Sequence, residues 1–254
     1  MPDRALAFAR TSSAAPLLRA FAGTFVLVFL AVPARAEVRV DLELVLAVDA
    51  SRSIDAFEYR LQRMGYAKAM THPAVVGAIT SGPLRRIAIS YVEWSGAFQQ
   101  ATLVGWTIVD GKASAAAFAR KLTDAPRRFL GGTSISGAIG YSFRMFKENG
   151  IRGARQVIDI SGDGANNRGV PVVTARDMAV RAGITINGLA VLCRHCSGPP
   201  NDYDLELAFR DLIIGGNGAF VISADNAGTF ADAVRKKLIL EIADTSPTGN
   251  TDLE

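Results

Sequence analysis

The chain has 254 residues, 49% of them hydrophobic, which is enough for one domain with a sizeable core. It carries 28 Lys and Arg against 24 Asp and Glu. Residues 1–36 hold four Arg and one Asp, so residues 37–254 carry 24 basic and 23 acidic residues, a net charge of +1. No polybasic tract remains in that part, and the charge therefore excludes an electrostatic case for a nucleic-acid partner.

Residues 1–36 are predicted to be an export signal. Three Arg within the first 19 residues form a positive n-region, residues 21–32 form an apolar h-region, and Ala34-Arg35-Ala36 gives the small-x-small cleavage site. The apolar run is shorter than the roughly 20 residues that span a bilayer, which favours removal after Ala36 over a retained anchor. We therefore expect a periplasmic or secreted protein with no membrane span in its mature chain.

The rest of the chain alternates strand and helix patterns. A strand at 42–48 is followed by a helix at 55–70, and strands at 87–94 and 101–109 follow with only a short turn between them. That turn forces an antiparallel pair, because a parallel crossover needs a dozen or more residues. The later predicted elements are helices at 112–122, 134–147, 172–182, 204–213 and 229–240, and strands at 156–160, 184–192 and 219–222.

This alternation predicts an α/β fold of the doubly wound, Rossmann-like kind. Its sheet is mostly parallel with one antiparallel edge strand, and helices cover both faces. We expect one domain at 37–244, followed by a disordered polar tail at 245–254.

Polar side chains follow the first and fourth predicted strands. Asp49, Ser51 and Ser53 come after the first strand, and Asp163 comes after the fourth. If the strand order is 3-2-1-4-5-6, these ends are neighbours at the point where ligands bind in open α/β sheets, and the loop before the 134–147 helix brings Thr133 there as well. Two carboxylates and three hydroxyls make a hard-oxygen site, which suits Mg²⁺, with Mn²⁺ or Ca²⁺ as further candidates.

The same residues carry a resemblance to the von Willebrand factor A family. Its metal-ion-dependent adhesion site uses D-x-S-x-S, a separate Thr and a separate Asp, matched here by DASRS at 49–53, by Thr133 in GGTS and by Asp163 in ISGDG. The likeness covers roughly residues 40–240 and looks closest to exported bacterial members with no assigned function. It implies that the serine and threonine hydroxyls coordinate the metal, that the two aspartates act partly through water, and that the metal holds an acidic side chain of a partner protein. It implies a binding module, not an enzyme.

Each of these residues also has a purely structural interpretation. Ser51, Ser53 and Thr133 are residue types that cap helices, and Asp163 between two glycines suits a turn. Asp159 lies inside the fourth strand and would be costly to bury unpaired. For it we expect an exposed strand end or a pair with an arginine such as Arg155, in preference to a place beside the metal. Residues at or just beyond strand ends are assigned to the rim of the site: Glu93, Asn166 and Asn167.

Two further hypotheses stay open. The alternative function is a Mg²⁺-dependent enzyme that acts on a phosphorylated or nucleotide ligand. Residues 162–167 resemble the dinucleotide-binding motif G-x-G-x-x-G, but they depart from it at the last position and follow the fourth strand instead of the first, which weakens this alternative. Cys193 and Cys196 lie in a predicted loop, where a local disulfide is preferred over thiol redox chemistry or a zinc site.

Overall fold

The computed structural model describes residues 37–52, 54, 56–125, 131–147, 149–192, 204–225 and 227–243. The predicted export signal, Ser53, the pair Cys193 and Cys196 and the predicted tail lie outside these ranges, so those predictions stay as they are. Among the described residues, no helix is both long enough and apolar enough to cross a membrane.

Strands and helices alternate along the described chain as predicted. The strands are β1 (Val38–Asp49), β2 (Ile87–Trp94), β3 (Gln100–Val109), β4 (Ile151–Gly162), β5 (Thr185–Val191) and β6 (Val221–Ala224). The helices are α1 (Ala56–Met70), α2 (Pro73–Ser81), α3 (Lys112–Asp124), α4 (Ile135–Met145), α5 (Val172–Arg181), α6 (Leu205–Ala208), which a π-helical segment (Phe209–Ile213) continues, and α7 (Ala227–Ala243).

The six strands form one sheet in the order β3-β2-β1-β4-β5-β6. Only β3 runs antiparallel to its neighbour in this sheet, and the other pairs are parallel. The doubly wound fold with one antiparallel edge strand is therefore confirmed. Val48 of β1 pairs with Glu93 of β2 and with Ser161 of β4, so the carboxyl ends of these three strands lie at one edge of the sheet.

Two hydrophobic cores lie on the two faces of the sheet. Leu44 and Leu46 pack into the core that contains side chains of α1, α2, α3 and α7, whereas Val45 and Ala47 pack into the core of α4 and α5. This division follows from the alternation of side chains along a strand. Each fully buried leucine or isoleucine stabilises the fold by roughly 1.5–3 kcal/mol.

Helix α2 was not predicted from the sequence. Its N-cap is His72, whose side chain accepts a hydrogen bond from Ala74 N (3.1 Å), with Pro73 in the first turn. Histidine is not among the residue types that usually mark a helix start. By contrast, Gly183 has a positive φ of +85°, the conformation expected of a glycine just beyond a helix end.

Asp159 is buried on the face of the sheet that α7 covers. The prediction that it lies at an exposed strand end or pairs with an arginine is therefore wrong. Its carboxylate forms a salt bridge with Lys237 of α7 (2.7 Å), which also pairs with Glu241. Asn187 of β5 donates to Glu241 Oε1 (3.0 Å). Arg155 instead donates to the carbonyl oxygens of residues 241 and 242 at the end of α7. A buried ionic cluster therefore fastens α7 to the middle of the sheet.

Candidate metal centre

The candidate site lies where β1 and β4 end side by side. Asp49 is the last residue of β1 and Gly162 is the last residue of β4. A Cβ atom added at Gly162 would lie 3.4 Å from Asp49 Oδ2 and 3.5 Å from the ring of Trp94. Gly162 therefore lies directly beside the Asp49 carboxylate, one residue before Asp163 in the chain.

The Asp49 carboxylate is almost fully buried, with 1% of its surface exposed. Its Oδ1 accepts a hydrogen bond from Ser51 N (2.7 Å), while Oδ2 has no hydrogen-bond partner among the described residues. Burial and the adjacent Asp163 carboxylate raise the pKa of Asp49 from 3.8 to about 8. Two carboxylates held together with little solvent repel each other, and a cation between them would remove that repulsion.

The loop that carries Thr133 is fastened to both neighbouring strand ends. Arg52 N donates to Gly131 O (3.0 Å), which joins this loop to the one that follows β1. Ser95, directly after β2, accepts from Gly131 N through its Oγ (2.8 Å) and donates to Gly132 O (3.1 Å). Its carbonyl also accepts from Ser134 N (2.8 Å). Ser95 is completely buried and positions this loop, a role that the sequence analysis missed.

The signal for Ser95 was present in the sequence, because it is a polar residue immediately after a strand that ends at the same edge as β1. It lies in the short turn before β3, which the sequence pattern uses only to predict the antiparallel pair. Serine in a turn is common, so residue type alone did not distinguish a turn residue from one that fastens a distant loop.

Asn166 and Asn167 belong to the β4–α5 loop, which also carries Asp163, and hydrogen-bond to the Thr133 loop and the start of α4. Thr133 N donates to Asn167 Oδ1 (3.1 Å), and Asn167 N donates back to Thr133 O (2.9 Å). Asn166 Oδ1 accepts from Ser136 N (3.0 Å) in the first turn of α4. Both asparagine side chains therefore position the Thr133 loop beside the Asp163 loop. Thr133 itself is 7% exposed.

Glu93 lies at the same edge of the sheet but is engaged in a buried ion pair. It accepts hydrogen bonds from Arg63 Nε (2.8 Å) and from the Tyr59 hydroxyl (3.0 Å), and only 1% of its surface is exposed. Arg63 also donates to the carbonyl of Ala125 at the end of α3. Glu93 thus ties the first half of α1 to the end of β2.

The described donors at this edge are all hard oxygens. Asp49 and Ser51 at the end of β1, Thr133 and Asp163 lie on three chain segments. Hydrogen bonds join the Thr133 loop to the segment after β1 and to the β4–α5 loop. Within the described ranges, no group of three or more His, Cys, Asp or Glu side chains could hold a metal ion. Two carboxylates together with hydroxyls are a donor set that fits Mg²⁺. Asp49 Oδ2, which has no hydrogen-bond partner among the described residues, lies beside the second carboxylate and is available to such an ion.

The strand order and the loops at this edge define a von Willebrand factor A-type fold. The pilus adhesin SpaC from Lactobacillus rhamnosus GG superposes with a TM-score of 0.58 at 13% identity over 81% of this chain. A von Willebrand factor type A protein from Catenulispora acidiphila gives 0.56 at 15% identity over 80%. Proximal thread matrix protein 1 from the mussel byssus, with a zinc-occupied MIDAS motif, gives 0.54 at 16% identity over 80%.

The chain spans 31%, 43% and 47% of the lengths of those three structures. Within this fold, residues 39–246 match the family described as "Protein of unknown function (DUF1194)", and the chain belongs to that family. No curated protein matches the sequence.

Proposed function

We propose that this protein is an exported, metal-dependent protein-binding module that holds Mg²⁺ and, through it, an acidic side chain of a partner protein. One observation carries the proposal: two carboxylates that are distant in the chain, Asp49 and Asp163, meet at the end of the sheet, where the first is buried and its Oδ2 has no hydrogen-bond partner among the described residues. A structural turn would not require a second negative charge at that place.

The bound ion would supply a positive centre with a coordination position for a carboxylate oxygen of the partner. Ser51, Ser53 and Thr133 would provide hydroxyl oxygens, and Asp49 and Asp163 would hold the ion directly or through water. Mg²⁺ suits such a site because it takes six oxygen ligands and keeps several waters when the protein provides few donors. Hydrogen bonds already join the segments that carry Ser51, Thr133 and Asp163, and this preorganisation lowers the entropy lost on binding.

Two solved structures with the same fold support this proposal. One is a pilus adhesin, and the other contains a MIDAS motif occupied by zinc. Since their identity to this chain is low, they bear on the function only as examples of what the fold can do. These structures and the predicted export signal at 1–36 also support an extracellular or periplasmic location, which we propose. The binding module itself would comprise residues 37–244.

Calorimetric titration of Mg²⁺, Mn²⁺ and Zn²⁺ into the purified chain tests the metal. We expect one site for Mg²⁺ that Asp163→Ala abolishes. Asp177→Ala is the matched control, because Asp177 is a partly exposed carboxylate on α5 that pairs with Arg176 (2.8 Å). Equal titrations by the wild type and Asp163→Ala, or no heat from any ion, would refute the metal site.

The partner is tested by affinity capture from an envelope extract of the source organism, with Mg²⁺ or with EDTA. A protein retained by the wild type in Mg²⁺ is expected to be released by EDTA and not to be retained by Asp163→Ala. If the same protein is retained equally well with EDTA and with Mg²⁺, binding of the partner through the metal is contradicted.

A further inference from the structure

The outer side of α1 carries one narrow stripe of exposed side chains, Phe57, Arg60, Met64 and Lys68. Spacings of three, four and four residues place them on one side of the helix, each about one turn from the next. The stripe is about 17 Å long, because an α-helix rises about 1.5 Å per residue. Apart from Phe98, Phe57 (61%) and Met64 (65%) are the most exposed large hydrophobic side chains in the described part of the chain. We call the four side chains the α1 ridge.

The ridge is the side of α1 that its neighbours leave uncovered. On one flank of the helix, a Cβ atom at Gly65 would lie 2.7 Å from the Phe230 ring of α7. On the other flank, the Arg63 guanidinium donates to the carbonyl of Ala125, directly after α3. Helix α1 is therefore the middle helix of this layer, and its ridge faces away from the sheet. Apolar side chains aligned on one exposed helix face indicate an interaction surface, whereas single scattered ones do not.

The helix layer that contains the ridge is basic. Among its exposed or half-buried side chains, two basic residues lie on α1, three on α3 and two on α7, and α2 carries no charge. Each of the three charged helices carries one acidic residue of this kind, so the seven basic and three acidic side chains give a net charge of +4. The opposite layer, formed by α4, α5 and α6 with its π-helical continuation, carries four basic and three acidic residues. The side chains of the ridge layer alone therefore favour an anionic partner.

We infer that the α1 ridge binds the surface of an anionic lipid bilayer, with Phe57 and Met64 entering the headgroup region and Arg60 and Lys68 lying beside anionic headgroups. The ridge alternates apolar and basic side chains, and a bilayer interface offers apolar and anionic contacts together along any line. The stems of arginine and lysine can lie along apolar surface while their charged ends stay among the headgroups. This binding needs no metal ion, so it is independent of the function proposed above.

Flotation of residues 37–254 with lipid vesicles tests the inference. This part of the chain contains the whole sheet and both hydrophobic cores, and it lacks the apolar run at 21–32, which would bind lipid by itself. One set of vesicles is phosphatidylcholine alone, and the other is phosphatidylcholine and phosphatidylglycerol in equal parts. EDTA is present throughout, so that no divalent ion contributes to binding.

The wild type is expected to bind the anionic vesicles at least about tenfold more strongly than the neutral ones, and to lose binding as salt is added. Two double variants, Arg60→Gln with Lys68→Gln and Phe57→Ser with Met64→Gln, are each expected to weaken this binding at least about tenfold.

The matched controls lie on the opposite helix layer. Arg144→Gln with Arg181→Gln removes the same charge from exposed positions of α4 and α5, and Met178→Gln replaces a methionine of α5 that is 38% exposed. Both controls are expected to bind the anionic vesicles as the wild type does.

Three results would overturn the inference: no binding to anionic vesicles at low salt, equal binding to both kinds of vesicle, or equal losses in the ridge variants and the controls. A dimer in size-exclusion chromatography that Phe57→Ser with Met64→Gln abolishes would assign the ridge to a second copy of the chain. An envelope protein that the wild type retains without lipid, and that the ridge variants lose, would assign it to a protein partner. Either assignment would also overturn the inference. The Mg²⁺ titrations of the proposed function are unaffected by any of these outcomes.

Discussion

Without a cation, Asp49→Asn is expected to be more stable than the wild type, and Mg²⁺ is expected to remove most of that difference. Burial and the Asp163 carboxylate raise the pKa of Asp49 from 3.8 to about 8, so at pH 7 the cation-free folded chain holds a proton there that the unfolded chain does not. At 1.36 kcal/mol per pH unit, this difference lowers the stability at pH 7 by on the order of 4 kcal/mol. The stability contribution of this group is present below pH 3.8 and is lost as the pH rises through about 8.

An asparagine at this position is neutral without taking up a proton, and it keeps an oxygen that accepts from Ser51 N. In EDTA at pH 7 we therefore expect Asp49→Asn to melt higher than the wild type by about 8–16 °C, because 1 kcal/mol corresponds to about 2–4 °C for a chain of this size. Adding Mg²⁺ at a hundred times its Kd stabilises the wild type by about 2.7 kcal/mol, and the variant should not respond.

Scanning calorimetry with EDTA and with Mg²⁺ measures both effects. Asp41→Asn is the matched control, since Asp41 lies at the opposite end of β1 and accepts from the backbone N–H of Leu84 (2.9 Å) and of Arg86 (3.4 Å). It is expected to lose about 1–3 kcal/mol in both conditions and to keep the full Mg²⁺ response. A lower melting temperature for Asp49→Asn in EDTA, or a Mg²⁺ response that survives in it, would refute this account of the site.

Three further predictions concern the metal loop and the buried cluster under α7. Thr133→Val keeps the side-chain shape and the backbone hydrogen bonds but removes the hydroxyl. The Mg²⁺ affinity measured by calorimetry should therefore fall at least about tenfold. An unchanged affinity would exclude the hydroxyl as a ligand. Lys237→Met leaves the carboxylates of Asp159 and Glu241 buried without the lysine ammonium group that pairs with both. The free energy of unfolding, measured by urea titration, should fall by about 3–5 kcal/mol, and a loss below about 1 kcal/mol would contradict this. Burial and the Asp159 carboxylate raise the pKa of Glu241 from 4.5 to about 7, so its contribution is present below pH 4.5 and is lost as the pH rises through 7. Glu241→Gln should therefore flatten the fall in stability over this range by on the order of 3 kcal/mol in a pH series of urea titrations, and an unchanged slope would show that another group causes the fall.

Much of the fold could be predicted because its signals are local. The β2 strand at 87–94 has the predicted bounds, and its short turn to β3 was sufficient to predict an antiparallel pair. The first five residues of β4 were missed because charged residues interrupt the apolar pattern there, and pairing with β1 completes the strand. The helix at 204–213 was predicted by its pattern, but its second half is π-helical.

The roles of the residues predicted for the rim separate only in three dimensions. Asn166 and Asn167 position the loop beside Asp163, and Glu93 is held by Arg63 and Tyr59. From sequence alone all three were assigned equally to the rim, because position relative to a strand end does not specify what a side chain contacts.

The sequence by itself determined the alternation of strands and helices, the antiparallel edge and the polar residues that end β1 and β4, because each depends on neighbours in the chain. Only the tertiary structure decided that Lys237 neutralises Asp159 and that Ser95 fastens the Thr133 loop. It also brought Asp163 beside Asp49 closely enough to raise the pKa of Asp49. These partners are far apart along the chain, and burial is what makes their charges and hydrogen bonds strong, since the interaction grows as water is excluded.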